Sequence, residues 1–339
     1  MLTDLHFGRV NNSELHNKDC INYLKWFCTN VKADPEIDVI IFLGDWHQHR
    51  SSVNGMTLHY SYRGAKMLNS LGLPVYFVTG NHDLFNRNNR EIFTTNPFES
   101  LSNIVLIHDT PVVLDQNDTV LFPYLFEEEY HTLLPKYAKH KIFMGHFEFK
   151  GFVLVGDTKV LEHGPEHTAF SNQLRIFSGH FHKRQDKDNT FYIGNAFPGD
   201  FGDANDAKRG MATYEFDSDT LEYIDWPHCP MYIKCNLSDV LDEPTKYLLP
   251  DARVKCLVDV PLTFEESNQI RERLVKKYKL RELSLEDTTE LTEVLQDTEF
   301  SLEGMELEST ENIIKAMLGQ IKSEKISPAK LITIYEGLV

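Results

Sequence analysis

Short apolar runs recur through the first half of the chain, each closed by a turn residue and then by a polar or ionisable group. Val39-Ile-Ile-Phe-Leu43 leads into Gly44-Asp45, and Val75-Tyr-Phe-Val78 leads into Thr79-Gly80-Asn81-His82-Asp83. Lys141-Ile-Phe-Met144 is followed by Gly145-His146, and Leu174-Arg-Ile-Phe177 by Ser178-Gly179-His180. Runs of four or five residues rich in Val, Ile and Phe read as buried strands. Helical patterns over 18–32 and 61–71 separate the early ones, so the opening is βαβ-like. Functional groups thus collect just past strand ends, where the loops of layered α/β folds converge on a ligand.

From about residue 187 the pattern turns strand-like, over 191–193, 211–216 and 221–226, and Pro227 and Pro230 close a first domain at 1–229. Residues 230–281 read as a small α/β unit with strands at 231–235 and 254–260 and a helix over 264–278. Thr263-x-x-Glu266 fits a capping box at the start of that helix. Residues 282–311 carry eleven Asp/Glu and no Lys or Arg, and read as an acidic linker. Two short amphipathic helices, over 311–319 and 328–338, fill a C-terminal segment at 312–339.

The net charge of −17 argues against a protein that coats nucleic acid through a basic surface. The charge is uneven, however: residues 253–281 hold eight Lys/Arg against four acids, so a local basic face is compatible with the acidic total. No run of about 18 apolar residues predicts a membrane span. The opening MLTDLHFGRV has neither the basic nor the apolar region of a secretory signal. Five cysteines (Cys20, Cys28, Cys229, Cys235 and Cys256) form no CxxC pair and read as free thiols of a cytoplasmic protein.

The residues after the strand ends form five motifs: Asp4-x-His6, Gly44-Asp45, Gly80-Asn-His-Asp83, Gly145-His146 and Gly179-His-Phe-His182. Carboxylate, imidazole and carboxamide together suit Mn²⁺, Fe²⁺ or Zn²⁺ better than Ca²⁺ or a thiolate zinc site. Any one motif is weak, since a lone DxH or GH arises by chance. All five in this order are a specific signal. His180 and His182, two apart, fall on one side of an extended segment, with Phe181 turned the other way into packing.

At these motifs the sequence resembles the calcineurin-like metallophosphoesterases. Within them it is similar to the SbcD-type nuclease subunits of recombination complexes, those of T-even-like phages included. The motifs span residues 4–182. The resemblance implies a four-layer α/β/β/α sandwich with a small α/β capping domain and C-terminal helices. It implies two Mn²⁺ ions, with Mg²⁺, Fe²⁺ or Zn²⁺ as alternatives, roughly 3.5–4 Å apart. Asp4, His6 and His182 would hold the first metal, Asn81, His146 and His180 the second, and Asp45 would bridge them. His82 would be the general acid or transition-state stabiliser, oriented by Asp83.

The activity implied is 3′–5′ DNA exonuclease with endonuclease activity, acting on double-stranded ends in recombination and double-strand-break processing. The implied partners are an SMC-like ABC ATPase docked on the C-terminal helices and a second copy of the chain, in a 2:2 complex. Asp45 leads into Trp-His-Gln-His rather than Asp-Arg-Gly, and the second motif is GNHD rather than GNHE, which favours nuclease over serine/threonine phosphatase. A phosphomonoesterase and a catalytically decayed scaffold are the alternative readings, because one metal core serves several substrate classes. Arg271, Arg273, Lys276 and Lys277, with Lys279, would give the helix over 264–278 a DNA-facing side, and Lys183 and Arg184 could meet phosphates. A solvated charged face is the other reading of both sets.

Two departures stand out. The third residue after the Asp of Gly44-Asp45 is often His or Asp in the resembled nucleases; here it is Gln48, flanked by His47 and His49, so either neighbour substitutes or the role is absent. Only Met1-Leu-Thr3 precede Asp4, a short lead-in for a central strand. Either the natural start lies upstream or neighbouring strands compensate.

Overall fold

The computed structural model describes residues 1–155, 159–287 and 330. Among these residues, one parallel sheet takes β1 (Ile40–Leu43), β2 (Val75–Val78) and β3 (Ile104–Ile107), in that spatial order. A second sheet of six strands uses β4 (Val112–Leu114), β5 (Thr119–Leu121) and β6 (Ile142–Gly145). A ribbon of β7 (Val153–Val155) and β8 (Lys159–Val160) follows. The second sheet then resumes with β9 (Arg175–Ser178), β10 (Gln185–Lys187) and β11 (Thr190–Tyr192), in the order β10-β11-β9-β6-β5-β4. β12 (Gly210–Glu215) and β13 (Thr220–Asp225) form an antiparallel hairpin.

Alternating side chains explain how these sheets pack. In β1, Ile40 and Phe42 join Leu24, Phe27 and Leu68 from the helices Glu14–Ala33 and Gly55–Asn69. Ile41 and Leu43 instead meet Ile142, Met144 and Phe177 of the second sheet. Phe143 and Ile176 point to a further cluster with Phe122, Phe147 and Tyr192. Strands apolar on both faces are what this double coverage requires. The helix Gly55–Asn69 begins six residues before its expected start because Asn54 caps it, accepting from Thr57 N at 2.8 Å.

The short N-terminal lead-in is well anchored. Leu2 N donates to Ile41 O at 3.1 Å, Leu43 N to Leu2 O at 2.9 Å, and Phe7 N to Trp46 O at 2.7 Å. On the other side Ala212 N of β12 donates to Met1 O at 3.1 Å. Residues 1–7 therefore run as a ribbon between β1 and β12, and the neighbouring strands supply the anchoring.

A C-terminal α/β unit takes β14 (Tyr232–Asn236), β15 (Arg253–Val258), the helix Phe264–Tyr278 and β16 (Glu282–Asp287) around Ile233, Leu237, Val254, Cys256 and Leu283. The capping box forms, with Thr263 N donating to Glu266 Oε2 at 2.9 Å. Residues 282–287 correct the expected boundary at 281. The acidic stretch does not begin as a linker; its first six residues are the third strand of this sheet. Leu283 and Leu285 alternate with polar residues and enter the core, while Lys255 pairs with Glu286 at 2.6 Å. A count of charges hid that two-residue period. The rest of the expected linker and the two expected helices lie outside the described residues, Lys330 excepted. No helix among the described residues is long and apolar enough to cross a membrane.

Contacts with the segment 199–205 and with the helix Glu14–Ala33 join this unit to the first domain. The segment 199–205 meets β14: Tyr232 Oη donates to Gly199 O at 3.0 Å, and Lys234 N to Asn205 Oδ1 at 3.1 Å. Arg281 forms a two-pronged ion pair with Asp19 of the helix Glu14–Ala33, at 2.5 and 2.9 Å, and the Asp19 side chain is 4% exposed. Truncating Arg281 strands that carboxylate in a poorly solvated place. Arg281→Ala is expected to lower unfolding free energy in urea by about 3 kcal/mol, and Asp19→Asn with Arg281→Met to recover most of it. A loss below about 0.5 kcal/mol for the single change would show that the pair does not hold the unit.

Candidate metal centre

The polar groups after β1, β2, β6 and β9 converge with the N-terminal ribbon. Asp4, His6, Asp45 and His180 all hold positive φ, from 48° to 88°. Left-handed backbone at non-glycine residues is costly and persists where surrounding structure enforces it, commonly at functional sites. Glycine is required beside them: a Cβ on Gly80 would sit 2.2 Å from Asp45 Oδ1, and one on Gly44 2.4 Å from His146 Nδ1.

Two groups of ligand atoms result. In the first, His6 Nε2 faces His182 Nε2 at 3.2 Å and Asp4 Oδ1 at 3.6 Å. In the second, His146 Nε2 lies 3.1 Å from Asn81 Oδ1 and 3.4 Å from Asp45 Oδ2, and His180 Nδ1 lies 3.3 Å from Asn81 Oδ1. Asp45 Oδ2 is also 3.7 Å from His6 Nε2, so one carboxylate oxygen stands between the groups. Asp4–His6–His182 and Asp45–His146–His180 each bring three donor atoms within 4.8 Å of one another.

The arrangement fits cations. Asp4 Oδ1 is buried without a hydrogen-bond partner, although Asp4 Oδ2 accepts from Thr3 Oγ1 at 2.6 Å. A buried carboxylate oxygen turned to imidazole nitrogens with no donor between them is costly unless a cation meets it. Metal–nitrogen and metal–oxygen bonds of about 2.1 Å set neighbouring ligands about 3–3.4 Å apart, close to the spacings found here.

Electrostatics agree. Burial acts to raise the Asp45 carboxyl, but the imidazoles of His146 and His82 outweigh it and hold it well below the usual carboxylate range. For His146, burial acts downward and Asp45 overrides it, pushing the imidazole up to about 9. Burial takes His6 down to about 4 and His180 to about 3. Surrounding groups aim the ligands. His146 Nδ1 donates to Leu43 O at 2.7 Å, which turns Nε2 to the centre. Asp203 Oδ2 stands 3.6 Å from His182 Nδ1 and is itself held by Gly199 N at 2.9 Å.

An open cavity of about 180 Å³ is lined by His6, Asp45, Asn81, His82, His180 and His182, together with Gln48 and Arg9. Neither Arg9 nor Asp203 was singled out from sequence, and Gln48 was noted there only as a departure from the usual His or Asp. Gln48 itself occupies the cavity wall, whereas His47 is buried away from it against Thr94 Oγ1 (2.8 Å) and Ser61 Oγ (2.6 Å), and His49 does not line it. Val10, Asn11 and Asn12 beyond Arg9 all have positive φ, so the chain turns left-handed immediately after it.

Asp83 differs from expectation. It does not reach the His82 ring, whose Nδ1 donates to Gln48 O at 2.8 Å. Its carboxylate instead accepts from backbone N–H groups of Gly80 (3.0 Å), Asp45 (3.0 Å), Trp46 (3.1 Å) and His47 (3.1 Å). Burial and the Asp45 carboxylate push Asp83 up to about 7, and the N–H groups of Gly80, His47 and Trp46 oppose them. Asp83 is a clamp between two turns.

His180 and His182 do reach the same cavity with Phe181 buried opposite, but not through extended chain. β9 ends at Ser178, and His180 at φ 88° makes the turn. Arg184 is tied to Asp225 at 2.8 Å and lies over the Tyr223 ring at 4.1 Å, and neither it nor Lys183 lines the cavity. Arg271, Arg273, Lys276 and Lys277 are exposed on the helix Phe264–Tyr278, in the C-terminal unit.

Residues 1–184 match the family described as calcineurin-like phosphoesterase. The chain belongs to that family. All five motifs fall inside the match, and divalent metal ions are the cofactors this family of phosphoesterases implies. The chain is also similar to "Exonuclease subunit 1" of Enterobacteria phage T4, 26% identical over 185 residues covering 53% of this chain and 54% of that protein. It thus spans about half the length of the curated relative it matches.

Two outcomes test this phosphoesterase centre. Mn²⁺ added to chelator-treated protein is expected to raise the melting temperature, with the shift lost in Asp45→Asn; an equal shift in that variant would remove Asp45 from the ligand set. Asp83→Asn turns an amide NH₂ towards N–H donors and leaves about two unsatisfied, costing about 3 kcal/mol in urea unfolding. An unchanged midpoint would refute the clamp.

Proposed function

We propose that this chain is the nuclease subunit of an ATPase–nuclease complex, a Mn²⁺-dependent 3′–5′ DNA exonuclease with endonuclease activity that processes double-stranded ends in recombination and repair. The observation that carries this reading is the shared Asp45 oxygen, 3.7 Å from His6 Nε2 and 3.4 Å from His146 Nε2, in a cavity open to substrate. The similarity to a phage protein called an exonuclease subunit supports a nucleic acid as the substrate, and DNA is the form we propose.

In this reading Asp4, His6 and His182 would hold one cation and Asn81, His146 and His180 the other, with Asp45 available to both. Such a pair supplies Lewis-acid activation of water and neutralises charge on the phosphodiester oxygens. The remaining work falls to the chain. Leu43 O fixes the ring orientation of His146, and the Asp203 carboxylate stands beside His182 Nδ1. With the His82 Nδ1 proton engaged by Gln48 O, Nε2 is the atom that passes a proton to the leaving oxygen.

The layered sheets correspond to a four-layer α/β/β/α sandwich, and the unit built on β14–β16 to a capping domain whose Arg271, Arg273, Lys276 and Lys277 face DNA. Residues 312–339 dock on an SMC-like ABC ATPase, two chains pair in a 2:2 complex, and the assembly works in the cytoplasm.

The test uses the full chain co-purified with such an ATPase, end-labelled linear duplex DNA and Mn²⁺. His82→Ala is expected to cut cleavage by about 10²–10⁴-fold while keeping the Mn²⁺-induced melting shift. Turnover of 4-nitrophenyl phosphate without DNA cleavage would overturn the nuclease reading in favour of a phosphomonoesterase.

A further inference from the structure

We propose that Arg9 contacts substrate, donating from its guanidinium to a non-bridging oxygen of the phosphodiester held at the centre; this rests on the phosphodiesterase reading above. Among the described residues lining the cavity, Arg9 is the one with a permanent positive charge, the others being carboxylate, carboxamide or imidazole. A chain of net charge −17 needs such a group where an anion must enter.

Arg9 is built into place. Its Nη2 pairs with Asp200 Oδ2, and its side chain is 15% exposed against 54% for Asp200, so the pair runs from the cavity wall outward. That contact engages one of five N–H donors, and a planar guanidinium suits two-pronged contact with phosphate oxygens. Gly199 makes room for it: a Cβ there would lie 2.5 Å from the guanidinium carbon. Gly8 N donates to Asn17 Oδ1 at 2.8 Å on one side, and Thr57 Oγ1 donates to Asn12 Oδ1 at 3.0 Å on the other. Between these anchors Val10 is held at φ 54° while 50% exposed. A β-branched residue resists that conformation. The strained turn is not explained by burying Val10; what it achieves is the delivery of Arg9 to the cavity beside His6 and His182.

The experiment compares wild type, Arg9→Gln and Arg9→Lys on duplex DNA and on bis(4-nitrophenyl) phosphate, with the Mn²⁺-induced melting shift as a control for folding and metal binding. Arg9→Gln is expected to raise KM on both substrates by about 10–100-fold, the range for a charge-assisted hydrogen bond. Its melting shift should stay at the wild-type value, and Arg9→Lys should recover part of the KM loss. KM at the wild-type value in Arg9→Gln, or a KM rise confined to DNA, would overturn contact with the reacting group. Should Arg9→Gln fail to fold, the small-diester KM of the folded Arg9→Lys decides: a rise of several-fold supports the assignment, and no change refutes it. Wild-type turnover of the small diester without DNA cleavage would sink the DNA reading alone and leave the comparison at Arg9 intact. Activity on monoesters only would sink both.

Discussion

Four backbone N–H groups from two separate turns point at one buried carboxylate, that of Asp83. The turn after β1 carries Asp45 and the turn after β2 carries Asn81 and His82, so this contact sets the relative position of three cavity residues. It also forces the geometry around it. With Asp45, Trp46 and His47 all presenting their N–H groups to one acceptor, the chain needs positive φ at Gly44 and Asp45, and no side chain can stand at Gly80. His82 N then donates to Asp45 Oδ1 at 2.8 Å, leaving Oδ2 as the oxygen between the ligand groups. The charge that fastens the turns and the charge that faces the candidate metal centre are neighbours, which is why Asp45 pushes Asp83 upward and why so many donors are spent on it.

The convergence of these donor groups was legible because most are distinctive residue types placed just past a buried strand, and strand ends are the part of an α/β sequence that periodicity marks best. Asp45, Asn81, His146, His180 and His182 needed only that rule and the resemblance it brought out, whereas Asp4 and His6, with no strand ahead of them, rested on the resemblance. What escaped has no such marker. Asp203 follows a long irregular stretch after β11, and Arg9 sits in a left-handed turn that no hydrophobic period announces. The role of Asp83 depends on where backbone N–H groups point, which side-chain identity does not encode. β16 was missed for a different reason: eleven acids in thirty residues dominated a two-residue alternation over its six positions.

The same contrast holds for the basic residues. By composition Arg184 and Arg281 are two cations among many, yet each is committed to a carboxylate on another element, Asp225 and Asp19. Basic residues of that kind hold pieces of the fold together and contribute little field at a surface. The exposed set on the helix Phe264–Tyr278 is of the other kind, set on a solvent face of a helix whose apolar side, with Leu274 and Val275, packs on the core of its own small sheet.

The segment 199–205 gives the centre a mechanical asymmetry. Asp200 grips Arg9 and Asp203 stands beside His182, while Gly199 and Asn205 are bonded to Tyr232 and Lys234 of β14. No comparable link runs from the described C-terminal unit to Asn81, His146 or His180, which are set by the ends of β2, β6 and β9. Most of the donor set is therefore held by the stack of sheets and the N-terminal ribbon, while His182 and Arg9 share their support with a separately cored unit. A load applied to β14 reaches His182 and Arg9 first.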